Sequence, residues 1–235
     1  MSKEQNVVNY YVLCNKLKHT IRTGWKLWQV KSERIESVAE HIYSVQMLAI
    51  AMYSEYKYDI DIKKVIMMLA IHELEEILIG DLTMFEINKD DKNKIGHEAI
   101  KKILNNLVNK NELESLILEF DEKKTKEAQF AFFCDKLDAD LQCKLYDEKG
   151  CVDLNNQNGN KIINDPFVQS LFDKNLSWSE MWLKFSQGKY NYDKNFMEVS
   201  DYAIKNKICL DNEKNKEKVW KLKKSFKNYL INLKN

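Results

Sequence analysis

Two histidines and two carboxylates occupy positions from which they could bind a metal ion. His41 and His72 each lie in a segment whose apolar residues recur with helical spacing, and Glu73 directly follows the second histidine. Asp135 lies in a third such segment, which is rich in aromatic residues. Imidazole and carboxylate groups from separate helices can hold a divalent metal in the core of a helical bundle. The residue types therefore indicate a metal site, provided that the helices bring them together.

Each of these residues also has an ordinary structural interpretation. A single histidine on an apolar helix is commonly a packed, hydrogen-bonded core residue, and Glu73 with its acidic neighbours would form a solvated face. A carboxylate at Asp135, among apolar neighbours, is costly unless it is paired or bound to a metal, but Lys136 or an arginine would also pair with it. Residue spacing alone leaves both interpretations open.

The second histidine lies in a helix predicted to start at Asp61, a suitable N-cap, and to end before Gly80, a suitable C-cap. In such a helix, His72 and Glu76 are four residues apart and share one face. Asp81 follows the helix at the point where the chain turns, so its carboxylate can fold back over the site.

Other helices are predicted from capping signals and apolar periodicity. Ser37 with Glu40, and Ser177 with Glu180, form capping-box patterns, and Gly24 is expected to lie in a turn after the first helix. The predicted helical segments are residues about 5–19, 37–52, 61–79, 92–108, 112–119, 124–148, 195–207 and 213–233.

The composition predicts an all-α fold. The 235 residues include 44% hydrophobic side chains, six Gly and one Pro, which favours long helices over a loop-rich or β-sandwich fold. We expect residues 1–150 to form a helical bundle domain and residues 151–235 to form a helical C-terminal extension packed on or beside it. A formal net charge of +1 gives no electrostatic basis for a nucleic-acid partner.

The sequence predicts a cytoplasmic protein without membrane contact. Five cysteines at irregular spacing form no Cys-x-x-Cys pair, which is typical of reduced thiols. The first residues lack the apolar core of a signal peptide, and no apolar run approaches the roughly 20 residues of a membrane span.

Four ordered motifs resemble those of the HD-domain phosphohydrolase superfamily, and within it the 5′-deoxynucleotidase-like branch. They lie between residues about 10 and 150, and the chain beyond carries no part of the match. The motifs are Leu17–Trp25 (LKHTIRTGW), Glu36–His41 (ESVAEH), His72–Thr83 (HELEEILIGDLT), and Thr125–Phe130 (TKEAQF) followed by Asp135–Asp138 (DKLD).

The resemblance implies an HD-domain helical bundle and a hydrolase that removes the 5′-phosphate of deoxynucleoside monophosphates with a metal-activated water. It implies a divalent metal ion, which could be Mn, Co, Fe, Zn or Mg, and it favours a homo-oligomer. It assigns the metal to His41, His72, Glu73 and Asp135, the catalytic roles beside it to Glu76 and Asp81, and substrate binding to Arg22, Trp25 and Lys136.

Some of these substrate residues have alternatives. Arg22 could be a surface arginine rather than a phosphate clamp, Trp25 could belong to the core, and Lys136 could pair with Asp138.

The chain departs from the family pattern at two places. Glu73 stands where the superfamily has Asp, which adds one methylene between the backbone and the carboxylate. Met84 and Phe85 follow the third motif where relatives often place Pro. Two alternatives follow: an HD-type hydrolase of another phosphoester, and a non-catalytic HD-fold protein that binds a nucleotide or a partner helix.

Overall fold

The computed structural model describes residues 2–83, 86–172, 175–209 and 213–232, which form helices joined by loops. The predicted all-α class is confirmed, since extended pairing within these ranges is limited to an isolated β-bridge between Ile21 and Ser37. Met84, Phe85 and Leu233, on which parts of the sequence analysis depend, lie outside the described residues. The helices are α1 (Lys3–Cys14), α2 (Thr23–Leu27), α3 (Val38–Tyr56), α4 (Ile62–Ile71), α5 (Glu76–Ile79), α6 (Lys89–Leu104), α7 (Lys110–Glu122), α8 (Lys126–Glu148), α9 (Pro166–Phe172), α10 (Trp178–Lys189), α11 (Lys194–Lys205) and α12 (Glu213–Asn232), with 3-10 turns at Asn15–Lys18 and Ile162–Asn164.

The longest helix, α8, is the centre of the bundle. The Thr125 hydroxyl caps it by accepting the Ala128 N–H at 3.2 Å. Helices α3, α4, α7, α10 and α11 all pack against it. Because α8 is covered on several sides, both Asp135 and Asp138 are buried on it, and a buried carboxylate needs a partner.

The predicted capping box fixes the start of α3 and so the position of His41. The Ser37 side chain accepts the Glu40 N–H at 3.3 Å, and the Glu40 carboxylate accepts the Ser37 N–H at 2.8 Å. Val38, Val45 and Ala49 then bury one face of α3, and His41, which is 0% exposed, lies on that same face.

The continuous helix predicted from Asp61 to Gly80 is wrong in its middle. Asp61 caps α4 as expected, but α4 ends at Ile71 and α5 starts only at Glu76. Between them, the N–H groups of Leu74 and Glu76 bond to carbonyls three residues back, each at 3.2 Å.

The side chain of His72 bonds to the backbone at this break. Its Nδ1–H donates to the Leu69 carbonyl at 2.7 Å, and a continuous α-helix would use that carbonyl for the N–H of Glu73. His72 and Glu73 therefore lie in tight turns between two helices, so the shared helix face predicted for His72 and Glu76 does not form.

Two further local predictions differ from the structure. Gly24 lies inside the short helix α2 rather than in a turn directly after the first helix, and α1 ends earlier than predicted, at Cys14. Helix α9 was not predicted, although it begins at Pro166, the first helical position that proline favours.

The chain beyond residue 150 packs closely on the first helices. Trp178 and Trp182 contact the Trp28 ring, with centroids 5.7 and 5.9 Å apart, and α10 lies along α8. The predicted division at residue 150 stays a prediction. Across the described ranges, each helix is too short or too polar to cross a membrane, and none of the cysteines forms a disulfide.

Candidate metal centre

His41 lies between two carboxylates of α8. Its Nδ1 is 2.8 Å from Asp138 Oδ2, and its Nε2 is 3.2 Å from Asp135 Oδ1. Burial and Arg22 lower the pKa of His41, but the two aspartates outweigh them and raise it to about 9. Asp138 thus orients the ring so that Nε2 points at Asp135.

His72 has one satisfied and one unsatisfied ring nitrogen. A carbonyl only accepts hydrogen bonds, so the contact with Leu69 places the proton on Nδ1. Burial, the largest effect, lowers the pKa of His72, so the ring is neutral and Nε2 carries a bare lone pair. This Nε2 is buried and has no hydrogen-bond partner among the described residues.

The donor atoms of four predicted ligands converge. One atom from each of His41, His72, Glu73 and Asp135 lies within 4.8 Å of the others. The lone pair of His72 Nε2 faces Glu73 Oε1 at 3.7 Å and Asp135 Oδ1 at 3.9 Å. Because His72 Nε2 carries no proton, it offers a lone pair beside two carboxylate oxygens, and a cation between these three atoms would be bound favourably. Two imidazoles and two carboxylates fit a first-row divalent ion, so the residues present suit the group.

Glu73 reaches the cluster despite its extra methylene. Its Oε1 lies 3.8 Å from His41 Nε2 and 3.2 Å from the Arg22 guanidinium. Burial raises the pKa of Glu73, but the neighbouring positive charges, among them Arg22 and Lys92, outweigh it and lower the pKa to about 2. One ionised carboxylate therefore contacts both the histidine pair and a candidate phosphate-binding arginine.

The two predicted catalytic acids lie beside this cluster in different environments. Both oxygens of Glu76 are buried without a hydrogen-bond partner among the described residues, and burial, together with Glu73 and Asp81, raises its pKa to about 11. Asp81 instead accepts the backbone N–H of Thr23 at 2.6 Å. Asp81 therefore ties the start of α2, which follows Arg22, to the turn after α5.

The predicted substrate residues divide between cleft and core. Arg22 and Lys136 line the cleft beside the cluster, and Lys136 Nζ pairs with Asp135 Oδ2 at 2.8 Å. The contact of Lys136 that the structure gives is thus with Asp135, rather than the alternative pairing with Asp138. Trp25 touches the cleft, but it is 8% exposed and its Nε1–H donates to Glu36 Oε2 at 2.8 Å.

The cleft encloses about 770 Å³, which is the size of a small-molecule site. Its far wall comes from the chain beyond residue 150, through Trp182, Phe185 and Tyr190. Neither this aromatic wall nor the contact of Asp138 with His41 was predicted from the sequence. The aromatic richness of residues 178–192 was the available signal for the wall.

Comparison with protein families gives one matching description, the HD domain, over residues 14–171. A 5′-deoxynucleotidase HDDC2 from Dictyostelium discoideum is 33% identical over 152 residues, which span 61% of this chain and 79% of the relative. The 5′-deoxynucleotidase hdd1 from Schizosaccharomyces pombe is 28% identical over 199 residues, which span 80% of this chain and 98% of the relative.

Solved structures with the same fold come from microorganisms. A protein of Pyrococcus horikoshii OT3 has a TM-score of 0.55 and 23% identity, over 78% of this chain and 97% of its own. A protein of Magnetospirillum magnetotacticum, titled as a predicted metal-dependent phosphohydrolase, has a TM-score of 0.59 and 18% identity, over 87% of this chain and 92% of its own.

Proposed function

The chain belongs to the HD domain family, and from this premise we propose that it is a metal-dependent phosphomonoesterase that releases the 5′-phosphate of deoxynucleoside monophosphates. The observation that carries the proposal is the convergence of donor atoms from His41, His72, Glu73 and Asp135. Of these residues, Glu73 also lines the cleft together with Arg22. The relatives named as 5′-deoxynucleotidases support the substrate class.

The four converging residues would hold the metal, with Mn, Co, Fe, Zn and Mg as candidate ions. A divalent ion bound there supplies a water of lowered pKa and stabilises negative charge on phosphoryl oxygens. Asp138 holds the Nδ1–H of His41 and so keeps its Nε2 directed at the cluster. The Leu69 carbonyl does the same for His72.

Residues around the cluster bind the phosphate and manage the proton. The Arg22 guanidinium offers paired N–H donors to two phosphate oxygens, and Asp81 holds the backbone next to it in place. Lys136 adds a second positive charge at the cleft. Burial and the neighbouring carboxylates Glu73 and Asp81 favour the protonated form of Glu76, which would deliver its proton to the leaving 5′-oxygen as a general acid.

Phosphate release tests this proposal. Protein stripped with EDTA and reloaded with Mn or Co should release phosphate from 2′-deoxynucleoside 5′-monophosphates, and His72→Ala should abolish the release. His19→Ala is the matched control, because it makes the same chemical change at an exposed histidine. Release that survives His72→Ala, or a metal-loaded protein that is inactive on every deoxynucleotide, would show the proposal to be wrong.

We also infer that the chain forms a homo-oligomer. Tyr43, Met47 and Ile50 on α3 and Met67 on α4 are apolar side chains exposed to solvent, and Ile50 and Met67 border the same surface groove. Contiguous exposed apolar surface commonly marks a protein–protein contact. Light scattering should give a mass that is a multiple of 27.9 kDa, and a monomeric mass would contradict the inference.

A further inference from the structure

A buried carboxyl of the cleft has no role in the chemistry described above. Asp140 lines the cleft, yet it is only 5% exposed, and its Oδ2 has no hydrogen-bond partner among the described residues. Buried polar atoms are nearly always paired, so an unpaired one that faces a binding cleft indicates a partner that arrives with the ligand.

The position of Asp140 on α8 separates it from the metal cluster. It follows Asp135 by five residues, which is about 7.5 Å along a helix. The same cleft is lined by the aromatic side chains Trp182, Phe185 and Tyr190, and by the polar side chains Ser186 and Lys189. Lys189 Nζ lies 4.7 Å from the centroid of the Phe185 ring. Aromatic walls with polar groups beside them suit an aromatic heterocycle, which has apolar faces and a hydrogen-bonding edge.

We propose that Asp140 reads the hydrogen-bonding edge of the substrate's nucleobase, which packs against the aromatic wall formed by Trp182, Phe185 and Tyr190. This inference rests on the proposed function, because it takes the phosphate of the same nucleotide to lie at Arg22 and the metal cluster. It adds a base subsite and assigns it to the chain beyond residue 150 together with α8.

The direction in which the pKa of Asp140 is shifted suits this role. Burial, the largest effect, raises the pKa of Asp140 well above its ordinary value, although the Ser186 hydroxyl and Lys136 lower it. A neutral carboxyl presents an O–H donor beside a carbonyl acceptor. The edge of adenine offers the complementary pair, with N1 as acceptor and the N6 amino group as donor.

A cycle of protein variants and ligands tests the proposal without catalysis. Binding of 2′-deoxyadenosine and of purine 2′-deoxyriboside, which lacks the amino group, is measured by calorimetry on EDTA-treated protein. Wild type should bind deoxyadenosine at least tenfold more tightly than the analogue. Asp140→Leu removes both donor and acceptor and should bring this ratio close to one. Asp140→Asn keeps a donor beside an acceptor and should preserve the ratio.

Control variants and a second readout exclude a purely structural role. Cys143→Ala trims another buried side chain of the same cleft and should change both affinities alike. In phosphate-release assays, Asp140→Leu should lower kcat/KM for deoxyadenosine monophosphate at least tenfold and leave 2-deoxyribose 5-phosphate, which has no base, unchanged.

The outcomes separate the two proposals. The base subsite is overturned if wild type binds deoxyadenosine and purine 2′-deoxyriboside equally, or if Asp140→Leu leaves the ratio of the two affinities unchanged. The first outcome is measured on wild type alone, so it does not depend on whether a variant folds. An equal loss on both phosphate substrates also overturns it, because the residue then acts through structure. If no deoxynucleotide is hydrolysed but the nucleoside ratio depends on Asp140 as stated, the base subsite stands and the proposed phosphomonoesterase activity fails.

Discussion

Replacing His72 with leucine should separate metal binding from folding. The neutral Nε2 of His72 is a buried acceptor without a partner among the described residues, and such a group costs about 1–3 kcal/mol. The same substitution loses the Nδ1–H bond to the Leu69 carbonyl, which is worth about 0.5–1.5 kcal/mol. In EDTA, His72→Leu should therefore be as stable as wild type, or more stable by up to about 2 kcal/mol.

Metal should reverse this order of stability. At a free metal concentration of about 100 times Kd, wild type gains about 2.7 kcal/mol from binding. That gain corresponds to a rise in Tm of roughly 5–11 °C for a domain of this size. Loss of one of four ligands should weaken metal binding about a hundredfold or more, because loss of a residue that only hydrogen-bonds to a ligand can already weaken it by up to about a hundredfold. The gain of His72→Leu at the same concentration is then about 0.4 kcal/mol or less.

Urea unfolding followed by circular dichroism, in EDTA and in Mn, measures both quantities. His19→Leu controls for the change of side chain at an exposed position. The reasoning is refuted if His72→Leu is several kcal/mol less stable than wild type in EDTA, because Nε2 would then have had a partner. It is equally refuted if metal stabilises His72→Leu as much as wild type.

Three further predictions concern Glu73, Arg22 and Asp140. Glu73→Asp should keep or raise metal affinity and activity, because the charge is retained and the residue typical of the family is restored. Metal titration and phosphate release measure the two properties. A clear loss of both would show that the site requires the longer side chain of Glu. Arg22→Ala should raise KM for deoxynucleotides at least tenfold, since two charge-assisted hydrogen bonds to phosphate are lost, and an unchanged KM would remove Arg22 from the substrate site. The pKa of Asp140 is raised in the folded protein, so this carboxyl makes wild type lose stability as the pH rises from about 4. Urea unfolding should therefore show that Asp140→Asn gains more stability relative to wild type at pH 8 than at pH 4. An equal difference at both pH values would contradict the raised pKa.

Local chemical signals predicted the helix starts well. The capping box at Ser37 and the N-cap at Asp61 each satisfy N–H groups within three or four residues, so the sequence itself contains both partners. The class of fold followed in the same way from the scarcity of Gly and Pro. These features depend on contacts between near neighbours in the chain.

The break at His72 could not be read from apolar spacing. The apolar pattern through this segment is helical, and it carries no sign of the interruption or of the hydrogen bond from the His72 ring to the Leu69 carbonyl. The contact of His41 with Asp138 joins residues 97 positions apart, and only the packing of α3 on α8 creates it. The four candidate ligands were nevertheless predicted through motif resemblance, and the structure brings one donor atom from each within 4.8 Å of the others.

Glu73 lies in this break between α4 and α5. From that turn, its Oε1 lies 3.7 Å from His72 Nε2 and 3.2 Å from the Arg22 guanidinium. A single carboxylate oxygen thus connects the metal ligands with the proposed phosphate clamp. A substrate phosphate that binds Arg22 must compete with Glu73 for the guanidinium. A metal held by His41, His72, Glu73 and Asp135 would supply Glu73 with positive charge in place of Arg22. Metal binding and phosphate binding should therefore favour one another at this site.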